Sequence, residues 1–187
     1  MQEYLDSTEI IDWHHPQVSE VAQQLAMGAT SKADIARRCF EFVRDEIKHS
    51  VDFNITRVTL IASDVLRHKT GVCYAKSHLL AALLRANNIP SALCYQRLHI
   101  GGNQFCLHGL NAIWLDDVGW FRVDARGNKP GVDAEFSPLN EKLAFTVSLP
   151  GEIDSRTRHT SPMGCVIESL RHANTAEECL PDDANLA

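Results

Sequence analysis

The sequence has no uninterrupted apolar run near the roughly 20 residues that a helix needs to cross a bilayer, so no membrane association is expected. It has no basic excess: 24 acidic against 18 basic residues leave a net charge of −6, which argues against a broad nucleic-acid surface. No CxxC pair occurs among the six cysteines at 39, 73, 94, 106, 165 and 179. The N-terminus is acidic and carries no apolar signal region, so the expected compartment is the reducing cytoplasm and the expected state of the cysteines is free thiol. Gly101-Gly102 lacks the strand–loop–helix setting of a phosphate cradle, and no acidic spacing resembles a calcium loop. No organic cofactor is implied.

What is present is enough for one domain over 1–187, with a core expected at about 31–135. The chain is 44% hydrophobic and 22% charged, and at this length about two-thirds of the unfolded surface is buried on folding. Pro16 in a first turn, the apolar set Val18, Val21, Ala22 and Leu25, and Gly28 predict one helix. Ser31 as N-cap and the spacing of Ile35, Ala36, Cys39, Phe40, Val43 and Ile47 predict a second, to about 48. Residues 49–62 read as extended or irregular, and Ser63 as the N-cap of a short helix to 68. The run from 72 to 87 is apolar on more than one stripe, which predicts a buried helix. The period then changes to that of strands at 91–99, 104–115 and 119–125, with turns at 101–103 and 116–118. A short helix is expected at 164–172. Helices followed by an antiparallel meander indicate an α+β fold.

Cys73 is the most informative residue. It falls in the first turn of the buried helix, where unpaired N–H groups and the helix dipole favour a thiolate. A nucleophilic thiol needs a base, and the base an orienting partner. Alternation puts His108, Leu110, Ala112 and Trp114 on one face of a strand, and Trp120, Arg122 and Asp124 on the matching face of the next. A three-residue loop at 116–118 pairs Leu115 with Gly119. Leu110 then lies opposite Asp124, and His108 is its diagonal neighbour.

The stretch from Gly71-Val72-Cys73 to Asn88-Ile89-Pro90 resembles the cysteine segment of the transglutaminase-like superfamily, a GxC helix start running into an LLRxxGIP-like end. His108–Leu115 is similar to the family's histidine strand and Gly119–Ala125 to its GWxxxD strand. Weaker likeness extends to 42–47 and 140–145. The resemblance implies a papain-like α+β core in which the buried helix, starting at the nucleophilic Cys, packs on an antiparallel sheet. It also implies Cys73 as nucleophile, His108 as base and Asp124 as its orienter. Asn88 stands where the family often has Gly, a small cost because Asn tolerates the left-handed conformation. Tyr74-Ala75-Lys76 departs from the polar residue common two positions after the cysteine, which bears on substrate contacts.

The implied reaction is acyl transfer through a thioester, with water as acceptor in a protease or amidase and an amine in a crosslinking enzyme. A silent module that binds peptide or protein in the same cleft is the rival reading. The substrate would be a peptide or protein amide. The backbone N–H of Cys73 is one expected oxyanion donor, and Asn54 is a candidate for the second. The tail from 135 either covers the cleft or supports a homodimer. Cys94, His99, Cys106 and His108 are spaced C-x4-H-x6-C-x-H, which matches no common zinc pattern. Cys39, Cys94 and Cys165 lie among apolar neighbours and read as inert, His14-His15 as solvated, and Trp114 and Trp120 as core or cleft-wall residues.

Overall fold

In the computed structural model, which describes residues 1–186, the helical spacing of the first half becomes α1 (Pro16–Ala26) and α2 (Lys32–Glu46). The Ser31 hydroxyl accepts from the Asp34 N–H at 3.1 Å, closing the α2 N-terminus as expected. Helix α2 stops two residues short of the expected end. Lys48–His49 instead form β1, paired in parallel with β2 (Thr70–Gly71).

Helix α3 (Ala62–His68) begins two residues earlier than a Ser63 cap would set it, with Ile61 at the cap. The first N–H groups of α3 find tertiary acceptors, which makes a side-chain cap unnecessary. Ala62 N donates to Ile10 O at 2.9 Å, and Ser63 N to Asp12 Oδ1 at 2.9 Å.

Helix α4 (Cys73–Ala86) is buried from Cys73 through Arg85, as its all-round apolar sequence requires. It touches α1, α2 and α3 on one side and the sheet on the other. Leu79, Leu80, Leu83 and Leu84 are fully buried, each contributing about 1.5–3 kcal/mol of transfer free energy. Backbone carbonyls serve most of its polar members, although His78 Nε2 is buried without a partner. Arg85 donates to Ser91 O, Asp6 O and Thr160 O, and His78 Nδ1 donates to Leu60 O at 2.8 Å. Burial lowers the His78 pKa to about 4, so the ring is neutral. Asn88 closes the helix at φ 55°, the left-handed conformation anticipated for it.

The sheet has the order β5-β4-β3-β6, with β3 (Ser91–Gly101), β4 (Gln104–Leu115), β5 (Gly119–Val123) and β6 (Ile153–Asp154), all neighbours antiparallel. Leu115 pairs with Gly119, the expected register, and Asn111 with Val123 is the last pair of the hairpin. Strand β3 runs two residues beyond the expected end. Strand β5 stops at Val123, so Asp124 lies just past the ladder. Strand β6 has two residues, too few for alternation to reveal. Helix α5 (Gly164–His172) sits where its sequence places it. Among the described residues no helix is long and apolar enough to cross a membrane.

Close approach of α4 to β4 depends on Gly109. A Cβ there would lie 2.9 Å from Tyr74 Cδ1 and 3.0 Å from Tyr74 Cα. Contact with a backbone atom cannot be relieved by a rotamer change. Gly109→Ala is expected to destabilise the protein by about 1–3 kcal/mol, read as a lowered urea midpoint. An unchanged midpoint would show that the two elements separate freely.

Candidate active site

Cys73 is the first residue of α4, carried there by the β2 segment, whose pairing with β1 fixes where the helix begins. Its sulfur meets the edge of β4. Beyond Asn111 the β5 partner has ended, and Gly109 N donates to Cys73 Sγ at 3.5 Å. Two residues along the same edge, Leu107 N donates to Pro181 O at 2.7 Å. Between these positions stands His108, paired with Gln96 across β3.

His108 Nε2 donates to Asp124 Oδ2 at 2.7 Å, and the ring lines the same cavity as Cys73, whose sulfur accepts from the next residue's N–H, that of Gly109. Because Nε2 is engaged by the carboxylate, Nδ1 is the nitrogen left for the thiol. Asp124 is wholly buried and accepts two further bonds, from Arg126 N at 3.2 Å and Ala144 N at 3.1 Å. Burial opposes the charge on both partners. The His108 cation and the two backbone donors nonetheless hold the Asp124 carboxyl below its ordinary range. Burial likewise works against protonating His108, but the Asp124 carboxylate and the neighbouring sulfur outweigh it and raise the imidazole to about 10. The imidazolium is the form this pocket favours.

Phe145 covers this pair, its ring edge-on to His108 with centroids 4.9 Å apart and planes at 88°. The segment that carries Phe145 is fixed by a polar network on the same sheet face. Arg122 bonds Glu141 at 2.8 Å and Asp154 at 2.6 Å, and Gln96 Nε2 bonds Asp154 at 3.1 Å. Ala144 and Phe145 were absent from the sequence-derived site. They sit in a stretch with no regular period, and its weak family likeness at 140–145 was their one signal.

A cavity of about 660 Å³ opens at Cys73 and His108. The tail forms part of its wall, through Phe145 on one side and Ala176, Cys179 and Leu180 on the other. The tail therefore contributes to the cleft wall. Cys106 also lines it, with Sγ 3.2 Å from the Tyr74 hydroxyl. Burial pushes the Cys39, Cys94 and Cys106 thiols up to about 12 and Cys179 to about 11.

Asn54 does not belong to the site. It is exposed, at φ 53°, and lines a separate cavity with Ser50, Ile55 and Thr175. The residues from that region that line the Cys73 cavity are His49 and Val51, of which only His49 is polar. The C-x4-H-x6-C-x-H set is split. Cys94 is buried with Ala92, Leu110 and Ala112, and among the described residues no group of three or more His, Cys, Asp or Glu side chains is placed to hold a metal ion. Trp114 and Trp120 pair edge-to-face at 5.8 Å, and Trp120 also meets Tyr4, outside the cavity wall.

The family model of the transglutaminase-like superfamily matches residues 19–125, more than half of the chain. The chain belongs to the transglutaminase-like superfamily. Among solved structures it is similar to a candidate cysteine protease from Cytophaga hutchinsonii, at 17% identity and a TM-score of 0.52, covering 66% of this chain and 40% of that one. Two other similar structures are the periplasmic domain of TgpA from Pseudomonas aeruginosa and a candidate protease from Parabacteroides distasonis. The first has 17% identity and a TM-score of 0.45, covering 59% of this chain and 42% of that one. The second has 13% identity and a TM-score of 0.44, covering 73% and 30%. No curated protein matches. The transglutaminase-like core comprises the matched helices α2 to α4 and strands β3 to β5, the elements that carry Cys73, His108 and the approach to Asp124.

Proposed function

We propose that this member of the transglutaminase-like superfamily is a thiol-dependent amide or peptide hydrolase working through a thioester on Cys73. The reading is carried by one observation: Cys73 and His108 line one open cavity, where the ring is bonded at 2.7 Å to the buried Asp124 carboxylate and the adjoining Gly109 N–H reaches the Cys73 sulfur. Cys73 Sγ attacks the carbonyl carbon, and the C=O pair moves to oxygen. As the tetrahedral centre collapses the C–N bond breaks, and His108 gives its proton to the departing amine. Water then adds to the thioester with His108 as base, and the S–C bond breaks to release the acid. Asp124 sets the tautomer and stabilises the imidazolium. The substrate class is a peptide or protein amide, and an amine in place of water would make the same thioester a crosslinking intermediate.

The test is acid quench of the protein mixed with a panel of peptide amide donors, followed by intact mass and peptide mapping. A gain equal to the acyl group, on Cys73 and absent from Cys73→Ala, is expected. Repeating it with a primary amine present reports the acceptor. Peptide binding with no acyl adduct from any donor would instead make the chain a binding module.

A further inference from the structure

Attack on a carbonyl places negative charge on its oxygen, and in a site walled off from water that charge needs donors already in place. The backbone N–H of Cys73 is one: it opens α4 and donates to no carbonyl among the described residues. A side chain that is in the cavity, rigidly held and not otherwise bonded can supply the second.

We propose that His49 is that second donor, directed with the Cys73 N–H at the oxyanion formed on Cys73. The assignment rests on the acyl-transfer reading of the same cleft. His49 pairs with Gly71, two residues before Cys73, so the strand that starts the catalytic helix also positions this ring. The backbone is clamped on both sides, with Lys48 N donating to Lys69 O at 3.0 Å and Ser50 N to Gly71 O at 3.2 Å. The ring lines the cavity with Cys73 and His108 while being about nine-tenths buried.

Neither ring nitrogen is used by the protein. Nδ1 is buried without a hydrogen bond, 3.7 Å from Asp52 Oδ2, and no described group bonds Nε2. Asp52 is occupied elsewhere, by Arg126 at 2.7 and 3.0 Å and Lys129 at 2.6 Å. An orphaned buried nitrogen is costly, and such groups persist where a ligand completes them. Burial, then the nearby Arg126, Lys76 and His108 charges, lower His49 to about 3, against the opposing pull of Asp52. The ring is thus a neutral N–H donor and does not compete with His108 for the proton.

The test separates oxyanion stabilisation from thiol reactivity. p-Nitrophenyl acetate acylates through a tetrahedral oxyanion: an S–C bond forms, the C–O bond breaks and p-nitrophenolate leaves. Iodoacetamide alkylates by direct displacement of iodide and forms no oxyanion. His49→Ala is expected to slow acylation of Cys73 by about 10²-fold, with Cys73→Ala as background, while changing the iodoacetamide rate less than twofold. His49→Gln, which keeps an N–H donor and loses basicity, should recover at least tenfold of the deficit. Unchanged acylation in His49→Ala overturns the assignment. So does a parallel loss of both rates, which would mark His49 as a support for the thiol, and so does a Gln variant no better than Ala. A wild-type protein whose Cys73 reacts with neither reagent faster than the other cysteines overturns the acyl-transfer reading itself.

Discussion

Asp124→Ala should lower turnover by about 10³–10⁴-fold, the scale seen when the orienting acid of a catalytic triad is lost. The carboxylate has three partners here, His108 Nε2 and the N–H groups of Arg126 and Ala144. Removing it frees the imidazole to take the wrong tautomer and leaves two buried donors unpaired. It also removes the anion that keeps His108 protonated within the fold. The variant should therefore lose about 3 kcal/mol of stability as well, measured by urea unfolding at pH 7. Because the folded protein holds the Asp124 carboxyl below its ordinary range, this stabilisation is fully present above the unfolded value of about 3.9. It is lost as pH falls through the lower folded value, so the acid limb of the stability profile should flatten in Asp124→Ala. Asp124→Asn should match Ala in turnover and be less destabilised. A variant with near-normal turnover would remove Asp124 from the site.

What the sequence made legible was whatever repeats over several residues. The apolar run of α4 covers more than one stripe, so its burial could be read directly and its start placed to within one residue, at 72 against Cys73. The His108–Asp124 relation followed from a loop of three residues, because loop length sets register and one step of slippage would have put the two side chains on opposite faces. Asn88 at φ 55° followed from what a helix end demands. Features shorter than a period were not legible. Strands β1 and β2 have two residues each, and with them went His49, whose role depends on pairing with Gly71; Asn54 stood in its place. Ser63 was misread as a cap because an acceptor from Asp12, distant in sequence, serves α3 instead. Phe145 and the 176–180 wall belong to irregular chain placed by ion pairs such as Arg122–Asp154 and Arg97–Asp182, which no local pattern reports.

The proposed mechanism requires His108 to activate Cys73. The most direct measurement is iodoacetamide alkylation against pH, with modified cysteines mapped by peptide mass, in wild type and His108→Ala. An ordinary thiol, of pKa about 8.5, holds only about one part in 300 as thiolate at pH 6. The Cys39, Cys94, Cys106 and Cys179 thiols lie higher still, at about 11 to 12. His108, raised to about 10, is cationic throughout the neutral range and shares the cavity with Cys73. Cys73 should therefore be the first of the six to be alkylated at pH 6, and His108→Ala should slow it there by about 10²-fold while leaving the rate at pH 10 nearly unchanged. A Cys73 that reacts no faster than its neighbours at pH 6, or at the same rate with and without His108, would contradict the account.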